Sequence, residues 1–196
     1  MTPKGGPLLL VTVGTDHHPF DRLVRWVDGW LDSPGGRAAG LRCLMQTGTS
    51  APPAGGTARW QAYLEFEALQ AAMRDAAAVV CHGGPGTILG ARHMGAVPIV
   101  VPRQHRLGEH VDDHQVAFSR RLAAERSVFL AEDEADLHRL LDRVAAEPAA
   151  FRASAEQRGT ATAVRAFERL VDGLVAGRPA TAGGSAPRIP PGRVTR

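Results

Sequence analysis

A glycine-rich turn at residues 82–87 (HGGPGT) is the segment of this chain best suited to hold an anion. It follows an apolar run and leads into a predicted helix. Glycines let the backbone approach a ligand closely, and the first turn of a helix offers free N–H groups with a partial positive charge. The segment therefore predicts a phosphate or diphosphate site. It has neither the lysine of a Walker loop nor G-x-G-x-x-G spacing, and a plain strand-to-helix turn is the alternative.

Two further polar segments follow predicted strands. Residues 14–18 (GTDHH) contain Thr15, whose hydroxyl can donate a hydrogen bond to an anion. Residues 108–115 (GEHVDDHQ) combine carboxylates, histidines and an amide, a mixture that suits the recognition of hydroxyl groups. An ordinary solvated loop is the alternative for residues 14–18.

The histidines of the third segment also raise the question of zinc. His110 and His114 are four residues apart, as zinc ligands on one helix face can be. A zincin needs H-E-x-x-H, and Val111 follows His110 here, so hydroxyl recognition is the better interpretation and we expect no metal. Asp112 or Asp113 would cap a helix in the alternative interpretation of the carboxylates.

Apolar runs typical of buried strands alternate along the chain with helical periodicity. The predicted strands are residues 8–13, 41–47, 78–81, 97–101 and 128–130, and the predicted helices are residues 20–31, 66–75, 86–94, 113–121, 137–144 and 151–175. This order predicts an α/β fold, a Rossmann-like parallel sheet with helices on both faces. Ligands of such sheets bind at the carboxyl ends of the strands, so we expect the three polar segments to line one crevice.

Composition indicates one domain with short extensions. The chain has 196 residues, with 23 Lys and Arg against 20 Asp and Glu and a net charge of +3. We expect an N-terminal extension at 1–7, a domain over 8–176 and a disordered Gly/Pro/Arg-rich tail at 177–196. Because the domain shows no clustered basic face, we expect no nucleic-acid partner.

Cysteine usage and hydropathy bear on the compartment. Cys43 and Cys81 each lie within an apolar run, which predicts buried, reduced thiols of a cytoplasmic protein. The N-terminal apolar run, residues 8–13, is too short for a signal peptide or a membrane span. A function at a membrane would therefore need another protein as the anchor.

Several motifs in this order resemble the C-terminal domain of family 28 glycosyltransferases. They are residues 11–15 followed by 19–23, residues 82–87, Gly95 to Arg103 with Pro98 and Pro102, and residues 108–115. The likeness spans about residues 8–145. It is greatest to small stand-alone subunits, such as the cytosolic subunit of the eukaryotic dolichol-linked N-acetylglucosamine transferase and its bacterial exopolysaccharide and capsule counterparts.

This resemblance implies one half-domain of a GT-B glycosyltransferase, which binds a UDP-sugar as its substrate and requires no metal or other cofactor. It implies inverting transfer to a lipid-linked or growing-polysaccharide acceptor. It also implies a membrane-anchored partner subunit, which supplies the acceptor half of the cleft and holds the chain at the cytoplasmic face of the membrane.

The resemblance assigns donor-binding roles by position. The implied donor-binding residues are Gly14, Thr15, His82, Gly83, Gly84, Gly86, Thr87, Glu109, His110, Asp113 and Gln115. Asp113 and Gln115 would meet the hydroxyls of the donor sugar. Family members commonly carry a glutamate three residues after Thr87, where it holds the ribose, and this chain has Gly90 there. Either Glu109 supplies that carboxylate, or ribose binding is weaker, or the donor specificity differs.

Transfer also needs a base that takes the proton of the acceptor hydroxyl. His17, after the first predicted strand, is our catalytic candidate, with His18 next, although in related two-domain enzymes the base often belongs to the other half. We expect Gly84→Val to abolish UDP binding and to leave the fold intact, because the new side chain would fill the space of the phosphate.

Two other functions stay open at this point. One is a non-catalytic nucleotide-sugar-binding regulatory subunit, which the glycine at position 90 favours. The other is an unrelated α/β hydrolase with a His–Asp pair, although the chain has no G-x-S-x-G motif.

Overall fold

The structure, a computed structural model, describes residues 5–153. Its strands are β1 (Leu8–Thr12), β2 (Arg42–Gln46), β3 (Arg59–Gln61), β4 (Ala78–His82), β5 (Ile99–Val101) and β6 (Phe129–Leu130). They form one sheet in the order β3-β2-β1-β4-β5-β6. Every neighbouring pair of these strands is parallel.

Helices cover both faces of this sheet. They are α1 (Asp21–Asp32), α2 (Pro34–Ala39), α3 (Phe66–Asp75), α4 (Pro85–His93), α5 (His114–Ala124) and α6 (Glu134–Ala146). Helices α1, α2 and α6 pack on one face, and α3, α4 and α5 pack on the other. The predicted Rossmann-like α/β fold is therefore confirmed.

The two central strands, β1 and β4, are apolar, which explains why they lie at the middle of the sheet. Strands β1 and β4 are apolar and buried along nearly their whole length, as a strand covered by helices on both faces must be. Helix α1 turns Leu23, Val27 and Leu31 toward the same core, one residue per turn. The burial of these side chains places the loops that follow β1 and β4 side by side at the middle of the sheet edge.

The sequence does not predict two short elements. All three residues of β3 are exposed because it is an edge strand, so it has no apolar pattern and is defined by its pairing with β2. Helix α2 contains Gly35 and Gly36, which disfavour a helix. It is held instead by its N-terminus, where Pro34 takes the first position and Ser33 Oγ accepts a hydrogen bond from the Gly36 amide at 3.0 Å.

The helix predicted to begin at Phe151 does not begin there. Pro148–Phe151 is a 3-10 turn, and Arg152 pairs with Ala96 in an antiparallel bridge. Phe151 is fully buried, with its ring centroid 4.6 Å from that of Phe129. Its apolar side chain therefore closes the core beside β6 and does not start a helical stripe. The rest of that predicted helix and the predicted tail lie outside the described residues.

Both cysteines behave as predicted. Cys43 and Cys81 are free and buried, and burial raises the pKa of each thiol to about 12. Neither is a thiolate at neutral pH, so neither is activated as a nucleophile. Among the described residues, no helix combines the length and the apolar character needed to cross a membrane.

Candidate functional site

The carboxyl ends of β1 and β4 meet where the strand order reverses. Strand β1 pairs with β2 on one side and with β4 on the other, so the connections that leave β1 and β4 run in opposite directions across the sheet. Such a switch point opens a crevice at the sheet edge. The loops at 13–20 and 83–84 border it, and residues 102–113 reach it from the end of β5.

The imidazole of His82, at the end of β4, lies between two glycines. A Cβ added to Gly14 would lie 2.5 Å from His82 Cε1, and a Cβ added to Gly84 would lie 2.2 Å from Nε2. Gly14 also has a φ of +85°, a backbone conformation that favours glycine. Both glycines therefore make room for this ring. The expectation that Gly84→Val leaves the fold intact did not allow for His82, with whose ring the new side chain would collide.

His82 is a neutral part of the crevice floor. Burial lowers its pKa to about 4, and the positive charge of Arg103 acts in the same direction. The residue is 9% exposed. At neutral pH the ring therefore brings no positive charge to an anion, and its part in the site is to set the separation of the loops after β1 and β4.

The first turn of α4 offers two free backbone donors. Pro85 occupies its first position and has no N–H, and the Ile88 amide donates to the Gly84 carbonyl at 3.1 Å. Within the described part of the chain, the amides of Gly86 and Thr87 have no backbone partner. A Cβ at Gly86 would meet nothing within 4 Å. This turn can therefore receive an anion from open solvent.

Arg103 ties the loop after β5 to the loop after β1. Its guanidinium is fully buried and donates from Nη1 to the carbonyls of His18, at 2.6 Å, and Glu109, at 2.9 Å. Its Nη2 donates to the carbonyl of Val13 at 2.8 Å. The guanidinium carbon also lies 4.8 Å from the ring centroid of Phe20. Because hydrogen bonds from a charged donor are the stronger kind, Arg103 sets the spacing of the two loops.

Glu109 is committed to a buried ion pair. Its Oε1 and Oε2 accept from Nε and Nη2 of Arg22, each at 2.8 Å, and Oε2 also accepts from the Gln104 amide at 2.9 Å. Arg22 Nη2 donates in addition to the Pro102 carbonyl at 2.9 Å. Both carboxylate oxygens are occupied inside the protein, so Glu109 supports its loop and is not open to the ribose in place of the glutamate that Gly90 replaces.

The first turn of α5 lies directly behind the glycine-rich turn. A Cβ at Gly83 would lie 2.9 Å from Gln115 Cβ, and Gln115 Oε1 accepts from the Arg103 amide at 3.3 Å. Asp113 is exposed, and its Oδ1 accepts from the His105 amide at 2.9 Å. The third polar segment thus meets the glycine-rich turn through Gln115, and Asp113 is open to solvent at the start of α5.

A cluster of histidines surrounds Asp16 in the loop after β1. Asp16 Oδ1 accepts from the His18 amide at 2.8 Å and lies 2.7 Å from His18 Nδ1. Burial alone would raise the pKa of Asp16, but its hydrogen bonds with His18 help to outweigh burial and lower the pKa to about 2. The His17 side chain is 83% exposed, with Nδ1 3.6 Å from Asp16 Oδ1. His110 approaches from the third segment, and Thr15 is exposed beside the cluster.

The structure therefore brings all three predicted polar segments together, and comparison with known proteins then identifies the family. The profile of the glycosyltransferase family 28 C-terminal domain matches residues 8–171. This chain belongs to that family. No curated protein matches the sequence significantly.

Solved glycosyltransferases share the fold of this family 28 domain. The calicheamicin glycosyltransferase CalG4 is 17% identical at a TM-score of 0.57, over 92% of this chain and 44% of its own. MurG of Acinetobacter baumannii is 18% identical at a TM-score of 0.51, over 88% of this chain and 51% of its own. The spinosyn forosaminyltransferase SpnP is 18% identical at a TM-score of 0.55, over 90% of this chain and 45% of its own. The chain thus spans about half the length of these proteins, as a single GT-B half-domain does.

Two residues that support the site of this family 28 domain were not assigned from the sequence. Arg22 lies on the buried side of α1 beside Leu23 and Val24, and Arg103 directly follows β5 and Pro102. An arginine within an apolar stripe is a usable signal, because a buried charge needs a partner. The sequence does not say which group that partner is.

Proposed function

We propose that this chain is the donor-binding half of a UDP-sugar-dependent glycosyltransferase, with inverting transfer to a lipid-linked or growing-polysaccharide acceptor. The observation that carries the proposal is the first turn of α4. Among residues 5–153, its amides of Gly86 and Thr87 have no backbone partner, and they stand at a crevice that the loops after β1 and β5 border. Membership of family 28 supports sugar transfer as the chemistry.

A diphosphate leaving group explains what this turn does. As the bond between the sugar C1 and the phosphate breaks, negative charge grows on the UDP. Fixed amide dipoles and the partial positive charge at the start of α4 stabilise that charge without reorganising. The hydroxyl of Thr15 adds a donor from the opposite loop. In comparable sites the loss of one such donor lowers the rate by about 10²–10³.

The donor sugar is placed next to the first turn of α5. The exposed carboxylate of Asp113 accepts hydrogen bonds from sugar hydroxyls. Gln115 is buried and its Oε1 accepts from the Arg103 amide, so its Nε2 is the group that donates to the sugar. The third segment is well suited to this task because Arg103 and the Arg22–Glu109 ion pair hold it against the rest of the domain. Donor contacts of this loop therefore start from a prearranged geometry.

The acceptor proton is taken by the histidine pair beside Asp16. His17 is the more accessible of the two, with a side chain that is 83% exposed. His18 is the better oriented, since its ring bonds to Asp16 at 2.7 Å. Turnover of His17→Ala and His18→Ala, each measured with the partner subunit present, tests this role. Full activity in both variants would assign the base to the partner half.

A membrane-anchored partner subunit supplies the second wall of the cleft. Two apolar side chains of the third segment, Leu107 and Val111, are 47% and 64% exposed beside the crevice. Large exposed apolar side chains at such a rim are typical of a protein interface. The purified chain alone is expected to bind UDP and to transfer little sugar. Robust transfer by the isolated chain would refute the partner, and absence of transfer with the partner would favour the regulatory subunit.

Calorimetric titration of UDP tests the diphosphate site. Gly86→Val adds a branched side chain at one of the two amides, in space that no other group fills. We expect at least a tenfold loss of affinity, because each charge-assisted hydrogen bond contributes about 1.5–3 kcal/mol. Gly90→Ala is the matched control on the same helix, since its Cβ makes an ordinary contact with Met73 Sδ at 3.8 Å. Equal UDP affinity in both variants and the wild type would place the diphosphate elsewhere.

A further inference from the structure

A set of metal-ligating side chains joins the loop after β1 to the third polar segment. Asp16, His17 and His18 each offer one ligand atom, and these atoms all lie within 4.8 Å of one another. From the facing loop, His110 places its Nε2 3.8 Å from Asp16 Oδ2. With His110, which lies near Asp16 from the facing loop, the two loops together offer three imidazoles and one carboxylate.

We propose that Asp16, His17 and His18, joined by His110, bind a divalent transition-metal ion of the zinc class. Imidazole nitrogen and carboxylate oxygen are the ligands that zinc takes alongside thiolate, usually four in a tetrahedron. At bond lengths of about 2.0–2.2 Å, ligand atoms lie roughly 3.3–3.5 Å apart around the ion. The separations of Asp16 from His17, 3.6 Å, and from His110, 3.8 Å, are within a few tenths of an ångström of that value.

The short contact between Asp16 and His18 is explained by a shared proton. Without an ion, Asp16 Oδ1 and His18 Nδ1 share one proton across 2.7 Å. Binding replaces that proton by the ion, which the carboxylate oxygen and the freed nitrogen lone pair then ligate together. The displaced proton moves to Nε2 of the same neutral ring, and no oxidant or reductant is involved.

The surroundings of His110 support its part in the site. Its other nitrogen, Nδ1, lies 3.3 Å from Asp112 Oδ1. Histidines that ligate metals usually give the second ring N–H to a carboxylate, which sets the tautomer and the ring orientation. In the ion-free chain the Asp112 amide donates to Nδ1 at 3.4 Å, so ligation through Nε2 moves the ring proton to Nδ1, where Asp112 Oδ1 can accept it.

The two loops that carry the ligands are already held at a set distance. Arg103 donates to the His18 carbonyl at 2.6 Å and to the Glu109 carbonyl at 2.9 Å, so it binds the backbone next to ligands in both loops. A site whose ligands are placed before the ion arrives loses less conformational entropy on binding. An ion held by His17 and His18 occupies the lone pairs that the proposed base would use, so transfer by that route needs the ion-free chain and the inference goes beyond the proposed function.

The experiment is a titration of the chain, without a histidine tag and freed of metal by a chelator, with Zn²⁺ alone in competition with a chromogenic chelator. One ion per chain is expected. His18→Ala and His110→Ala should each weaken zinc binding tenfold or more. His17→Ala should do the same without any effect on packing, because that side chain is 83% exposed. His93→Ala, at the other end of α4 and exposed, is the matched control and should bind zinc as the wild type does.

Loss of affinity in the three cluster variants, with His93→Ala unchanged, supports the site. If the wild type and the three cluster variants bind zinc with the same affinity, the proposed site is wrong. UDP is absent from this titration, so its outcome is independent of the proposed donor site.

Discussion

Arg22 and Glu109, 87 residues apart in the chain, form a bidentate ion pair in the interior of the domain, with both hydrogen bonds at 2.8 Å. The guanidinium carbon of Arg22 also lies 4.6 Å from the ring centroid of Trp26. The pair connects α1, on one face of the sheet, to the segment that carries His110 and Asp113 to the crevice. It therefore belongs to the support of the proposed donor site.

Removal of one partner of this pair should destabilise the fold strongly. Glu109→Ala leaves the buried guanidinium of Arg22 without its carboxylate, which costs about 3–5 kcal/mol in the free energy of unfolding. Arg22→Met with Glu109→Leu removes both charges and should recover most of that loss. Urea denaturation measures both variants against the wild type. The exposed pair Arg120–Glu132 is the control, and Glu132→Ala should cost no more than about 1 kcal/mol. A similar small cost for Glu109→Ala would contradict the structural role.

The two glycines beside His82 should respond differently to its removal. Gly84 has a φ of −73°, which any residue adopts, so Gly84→Ala is harmful only because its Cβ meets the ring. In a His82→Ala background that penalty should disappear. Gly14 has a φ of +85°, so Gly14→Ala keeps a backbone penalty of about 1–2 kcal/mol in the same background. The unfolding free energies of the single and double variants give the coupling energy of each glycine with His82. If His82→Ala removed the whole cost of alanine at both positions, the predicted backbone penalty at Gly14 would be disproved.

His82 should make the fold less stable as the pH falls from about 6.5 to about 4. Its pKa is about 4 in the fold and 6.5 in the unfolded chain, because of burial first and the charge of Arg103 second. In that interval the unfolded chain binds a proton that the folded chain excludes, so stability rises with pH. The loss on acidification is about 3 kcal/mol for this group. Asp16 and His110 are the other titratable groups that act on the ring.

Unfolding free energies between pH 4 and pH 7 measure this contribution. The His82→Gln variant should show a flatter dependence on pH than the wild type. His93→Gln, which changes an exposed histidine, should retain the wild-type slope. If the free energy of unfolding depended on pH equally steeply in the wild type and in His82→Gln, a group other than His82 would be responsible for the dependence.

A carboxylate at position 90 should strengthen UDP binding. The resemblance to family 28 places a ribose-binding glutamate there, and Glu109 is occupied by Arg22. The first carbon of a new side chain at Gly90 meets only Met73 Sδ, at 3.8 Å. Hydrogen bonds to a charged group contribute about 1.5–3 kcal/mol, so the Kd of UDP should fall about tenfold or more in Gly90→Glu. Calorimetry measures it against Gly90→Ala, and equal affinities would show that the ribose lies out of reach of α4.

Local patterns determined much of this protein. The apolar run of residues 8–13, the helical spacing of Phe66–Asp75 and the glycine-rich turn at 82–87 each carry their signal within one element. Side-chain periodicity and turn chemistry depend on neighbours in the chain, so these elements, their order and the edge at which ligands gather follow from the sequence.

The tertiary structure alone decided what depends on distant pairs. Strand β3 exists through its pairing with β2, and Glu109 faces Arg22 because α1 and the loop after β5 pack together. Glycine at 14 and 84 suggested room for a phosphate, yet the space next to them is filled by the ring of His82. A sequence shows that a residue is small or charged. Only the packed chain shows which group fills the space beside it, because that group comes from an element whose position is set by the whole core.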